Sequence, residues 1–120
     1  LSDFKPVSRE RLKRGKVKAV ALKIAFMFVA SQADPVVHQS KFSTPEIELQ
    51  VIGVGNYTVA EEWARKLVAE GVKAIELCAG FGHEGVARIV RAVKGKAIVG
   101  VVRFDNHPGL EGKSGDEVFS

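Results

Sequence analysis

The residues of this chain best suited to chemistry gather in one short run, Gly80-Phe81-Gly82-His83-Glu84-Gly85. It reads G-x-G-x-x-G, follows a strand-like run and opens a helical one, and Asp105 stands 20 residues beyond Gly85. That spacing meets the formal dinucleotide fingerprint: a tight turn, close backbone approach to a pyrophosphate, and an anion held at a helix N-terminus. Three features weigh against a dinucleotide. Glu84 puts a carboxylate where the phosphate belongs. Glu76 interrupts a strand that the fingerprint wants apolar. Little chain remains after the loop to cradle a second mononucleotide. A smaller anion over Gly80 and Gly82 fits better, and in the plainest reading the glycines only shape a strand-to-helix turn.

The same run carries the candidate catalytic groups. His83, as the side-chain type suited to proton transfer at neutral pH, is the candidate acid or base, with Glu84 as its partner and Asp105 as a further carboxylate. The bland alternative is equally physical: Glu84 complements the helix dipole and His83 is a solvated loop residue. Cys78, the single cysteine, is a nucleophile if the helix N-terminus lowers its pKa, or a small buried hydrophobe. His83, Asp105 and His107 lack compact ligand spacing, so no metal site is assigned.

These residues need elements to hold them. Residues 21–30 are apolar on both faces apart from Lys23, as in a strand covered on both sides. Asp34-Pro35 is a helix-start signal, predicting a short helix through Phe42. Residues 46–54 alternate and read as a half-exposed edge strand. Thr58-Val59-Ala60-Glu61 spells a capping box for a helix closed by Gly71, with Glu61–Arg65 and Glu62–Lys66 as i,i+4 pairs. Residues 72–78 form a third strand. The third helix buries Val86, Ile89, Val90 and Val93. Residues 97–105 form a fourth strand, 106–109 a turn, and 111–120 a polar tail. The order βαβαβαβ predicts a three-layer α/β fold: a four-stranded parallel sheet in flavodoxin-like order 2-1-3-4, with half a TIM barrel as the alternative.

In such sheets ligands bind beyond the carboxyl ends of the strands. That rule adds Asp34, Asn56, Arg103 and His107 to Gly80 and Gly82 as ligand-binding candidates, Arg103 as an anion clamp. Tyr57 reads as a packing residue or a ligand lid. One conflict remains. The fourth strand is apolar on both faces yet falls at an edge, an aggregation hazard. It is expected to be covered by a second subunit.

Composition bounds the answer. The chain has 120 residues, 46% hydrophobic and 27% charged, which suits one globular domain. Its longest apolar stretch, 19–30, is too short to span a bilayer, and one cysteine excludes an internal disulfide framework. A reducing cytoplasm is the expected setting. Residues 1–18 hold seven Lys/Arg against two acids, +5, while 19–120 hold 11 against 12, −1. Residues 1–19 are therefore expected to be a basic extension, disordered or an upstream stretch with Val20 as the true start, ahead of a single domain at 20–120.

Several runs carry a resemblance: Ala21-Leu22-Lys23-Ile24-Ala25-Phe26-Met27-Phe28-Val29-Ala30, Ala74-Ile75-Glu76-Leu77-Cys78-Ala79 with the glycine loop, Val101-Val102-Arg103-Phe104-Asp105, His107-Pro108-Gly109 and Gly112-Lys113-Ser114-Gly115-Asp116. The chain resembles a small prokaryotic family catalogued as a domain of unknown function, number 6506, over residues 20–119. The resemblance implies a cytoplasmic α/β unit and no particular activity. Three functions follow as expectations. The first is a small anionic metabolite bound at the rim, with acid/base chemistry and no cofactor specified. The second is a non-enzymatic dimerisation module. The third is nucleic-acid contact through the basic arm, for which a short arm before a neutral domain is a weak basis.

Overall fold

Alternating burial marks the central strand. In β1 (Leu22–Val29) Ala25, Met27 and Val29 are buried, while Ile24, Phe26 and Phe28 on the other side are half-buried. The computed structural model describes residues 21–104 and 107–120. The expected extension at 1–19 and the candidate Asp105 lie outside the described residues.

After β1 the chain departs from expectation. Asp34 does begin a turn: its Oδ1 accepts from Val36 N at 2.9 Å and its carbonyl from His38 N at 2.6 Å. The turn goes no further, and β2 (Gln39–Ser43) takes the place of the predicted helix. Val36, Val37 and Phe42 make no stripe at helical spacing, so no apolar face rewards continuing it. β2 instead pairs antiparallel with β3 (Ile47–Val54), held by Gln50 Nε2 donating to Gln39 Oε1 at 2.9 Å and by Lys41–Glu48 at 3.4 Å. β3 is therefore interior, not an edge.

β4 (Ala74–Leu77) and β5 (Ile98–Val101) complete one open sheet in the order β2-β3-β1-β4-β5. β1 is its centre, parallel to β3 and β4, and β5 is parallel to β4. Among the described residues the sheet has five strands, not four, and it is open, with β2 and β5 at its edges, rather than curled as half a barrel. The expected βαβαβαβ order is corrected at its first helix.

α1 (Tyr57–Ala69) starts at Asn56, whose Oδ1 accepts from Val59 N at 2.9 Å. Asn56, not Thr58, is the cap. Glu61 reaches across to Arg88 of α2 (His83–Val93), at 2.8 Å from its Nε, rather than to Arg65. α1 ends where Gly71 takes φ +98°, with Val72 N bonded to Leu67 O and Gly71 N to Val68 O, a Schellman closure.

Tyr57, Ala60, Ala64 and Leu67 of α1 pack with Ile89 and Val93 of α2 on the side of the sheet that carries Ala25, Met27 and Val29. Both helices thus lie on one face. Among the described residues no helix covers the other face, because the stretch expected to supply one forms β2. No helix among the described residues is long and apolar enough to cross a membrane.

The cap assignment is testable by urea denaturation. Asn56→Ala is expected to cost about 1 kcal/mol, while Thr58→Ala stays within about 0.5 kcal/mol.

Candidate functional site

The glycine loop leaves β4 at Cys78, whose Sγ accepts from Val29 N at 3.4 Å and Gly80 N at 3.3 Å. The sulfur ties the ends of two strands together. Beyond it Phe81 is buried, its ring stacked on Tyr57 at 5.4 Å between centroids. The loop then feeds α2, whose first backbone N–H groups have no intrahelical acceptor.

Those donors are satisfied from the C-terminus of the same chain. The polar tail expected at 111–120 is structured: a 3-10 turn (Pro108–Leu110) and then α3 (Gly115–Phe119). Ser114 and Glu117 close a capping box on α3, and Phe119 buries its ring beside Tyr57. This docking carries Asp116 to the start of α2. Its Oδ2 accepts from Glu84 N at 3.0 Å and its Oδ1 from Gly85 N at 3.0 Å. Tyr57 donates its hydroxyl to Asp116 Oδ1 at 3.0 Å and accepts from Gly82 N at 3.0 Å. The position that the fingerprint reserves for a phosphate holds an internal carboxylate.

The glycines fit this carboxylate and this ring. A Cβ on Gly82 would stand 2.4 Å from Asp116 Oδ1, and one on Gly85 would stand 2.5 Å from Tyr57 Cζ. A Cβ on Gly115 would overlap the carbonyl of Gly80. G-x-G-x-x-G is here the footprint of an intramolecular lock.

The lock shifts both titrating groups. Burial is the largest influence on Tyr57 and drives its pKa far up. The amide of Gly82 opposes this and the neighbouring Asp116 adds to it, so the phenol stays a donor. For Asp116 burial is again the largest single influence and raises the pKa. The amides of Glu84 and Gly85, the Tyr57 hydroxyl and His83 together outweigh it, and the carboxyl ends below its ordinary 3.8.

The other candidates are placed as follows. His83 and Glu84 are exposed on the first turn of α2. The Arg103 guanidinium contacts His83 Nε2, and Arg91 holds Glu84 at 3.3 Å. Gly80 and Gly82 belong to the lock. Asp34 and Asn56 cap their own turns. His107 Nδ1 accepts from Gly109 N at 3.0 Å and its ring meets the Phe104 ring edge-on. The structure therefore pairs His83 with Arg103 and Glu84 with Arg91, and gives Asp34, Asn56 and His107 backbone work. Among the described residues no three His, Cys, Asp or Glu side chains form a metal-holding group. At the other end of the helices, Arg65, Lys94 and Lys96 rim a groove of about 250 Å³, where cations complement helix C-termini.

Sequence reasoning missed Tyr57 and Asp116 as the organising pair. The available signal was Ser114-Gly115-Asp116-Glu117, a capping-box spelling ahead of Val118-Phe119. A carboxyl with a depressed folded pKa adds stability that is complete above its unfolded pKa and lost as pH falls through the folded one. Stability is therefore expected to fall as pH drops below about 4. Asp116→Asn should flatten that acid limb in urea melts run across pH. Gly82→Ala, which evicts the carboxylate, is expected to cost about 1–3 kcal/mol at neutral pH.

The model of a family of unknown function, DUF6506, matches residues 22–117. No curated protein and no solved structure matches the chain. The match spans the sheet, both long helices and the Asp116 lock, and by it this chain belongs to the DUF6506 family.

Proposed function

We propose that the domain works by association, as a homodimeric module whose working surface is the sheet face that carries no helix among the described residues. One observation carries this reading. The face opposite the helices presents Ile24, Phe26 and Phe28 from β1 and Leu49 and Val51 from β3, with Phe42 54% and Ile98 58% exposed at its two sides. Apolar surface of this continuity on a sheet marks a protein-contact face. The strands hold 8, 5, 8, 4 and 4 residues. At standard spacings that is about 460 Å² in projection, so two such faces cover about 920 Å², the size of a weak or transient contact.

The edge strand falls within the same reading. Ile98, and Val102 just past β5, continue the open face, so the contact expected at the fourth strand extends across the sheet. The alternative, an anionic metabolite at the rim, loses its anchor because Asp116 already takes the free amides of α2. Nucleic-acid contact rests on residues 1–18, outside the described residues.

The test is light scattering on the full chain across a concentration series. The expected mass is twice the 13.0 kDa of one chain. Phe26→Asp, at the centre of the face, should return it to one chain, and so should Phe42→Asp if the first variant folds poorly. A single-chain mass at every concentration, or a dimer indifferent to both substitutions, overturns the reading.

A further inference from the structure

The groove at the far end of the two long helices holds more positive charge than the fold accounts for. Arg65 of α1 and Lys94 and Lys96 beyond α2 rim it, over an apolar floor that includes Ala69 and Ala92, and its volume is about 250 Å³. Other cations of the chain are paired: Lys41 with Glu48, Arg88 with Glu61, Arg91 with Glu84. Among the described residues these three form no ion pair. Arg65 lacks its expected partner because Glu61 turns to Arg88. Glu62, one turn before Arg65, forms no ion pair, and Glu70 lines a separate small cavity with Lys23.

The helix C-termini do not answer this charge. Two such ends carry about half a negative charge each, so three cations leave about two positive charges unmatched. The end of α1 is moreover already served: Lys23 Nζ donates to Glu70 O at 3.0 Å, and the last carbonyls take the N–H groups of Glu70, Gly71 and Val72. Lys94 is strained as well as unpaired. It ends α2 at φ 51° and ψ 40°, the left-handed region that glycine adopts without steric cost. Strain of this kind collects where a side chain is needed for more than the fold.

We infer that the groove is a binding site for a small phosphate monoester, held as its dianion. Two negative charges match the unmatched pair, whereas a carboxylate brings one. The Arg65 fork offers paired donors to phosphate oxygens, and the two ammonium groups act as point charges. The volume equals that of about eight waters in the liquid, so the organic part is a few carbon atoms, resting on Ala69 and Ala92. This is the end of the sheet opposite the one where ligands of such folds commonly bind. There Asp116 already takes the amides of α2. The groove is built by the helices, so it stands or falls separately from the dimer proposed for the open sheet face.

The test is calorimetric titration of the full chain with inorganic phosphate and with glycerol phosphate, at constant ionic strength held with chloride. Both should bind at about pH 7.5, the ester more tightly, and the ester should weaken about 10-fold by about pH 5 as its second ionisation, near 6, is reversed. Arg65→Ala and Lys94→Gly should each weaken binding about 10-fold. Lys94→Gly should also raise the melting temperature, by relieving the left-handed residue, whereas loss of a cation serving only as a helix cap would lower it. Lys113→Ala removes the same charge at the other end of the domain and should leave binding unchanged. No binding of either probe overturns the site. Binding indifferent to Arg65→Ala and Lys94→Gly, or weakened as much by Lys113→Ala, overturns its placement. An ester that keeps its affinity at about pH 5 overturns the dianion.

Discussion

The architecture follows from the hand of one connection. A parallel crossover is right-handed, so the face a helix covers depends on which way along the sheet the chain moves. From β3 to β4 and from β4 to β5 the chain moves the same way, and α1 and α2 land on the same face. From β1 to β3 it moves the opposite way, and a helix there would cover the other face. Residues 34–43 do not make that helix. They turn once on Asp34 and return as β2, and among the described residues nothing else supplies that layer. The half-buried Phe26 and the exposed Ile98 are both consequences of that turn.

The second organising contact is electrostatic and local. The start of α2 offers amides, and the chain answers them with Asp116, braced by Tyr57. A buried phenol and a carboxylate together perform what a bound anion would perform at this position. Each glycine of the loop is explained by what a side chain would strike: the Val29 side chain at Gly80, the carboxylate at Gly82, the phenol ring at Gly85. Acid/base groups remain outside the lock, with His83 against Arg103 and Glu84 against Arg91, both solvent-facing.

Much of this was legible in the residues. The apolar run of β1, the helical stripe from Ala60 to Leu67, the Gly71 closure and the family likeness could all be read directly, because each depends on local sequence. The failures were non-local. Asp34-Pro35 was chemically right as a turn start, but whether a turn continues depends on the stripe that follows and on a free strand edge nearby. Thr58 and Asn56 both spell a cap, and only the way the chain leaves β3 chooses between them. Asp116 is 31 residues from Gly85 and 59 from Tyr57, so no window of the sequence shows all three. A polar stretch with one buried aromatic, Phe119, is easily taken for a tail.

The lock also has a bearing on the order of events in folding. It contributes no strand to the sheet and closes long loops, whose entropy must be paid before its few bonds form. The sheet with α1 and α2 does not require α3 for its pairing. Lifting the C-terminal segment would break the lock and uncover Phe119 while leaving every strand pairing in place. The amides of Glu84 and Gly85, in the middle of the chain, consequently take their protection from solvent from the state of its end.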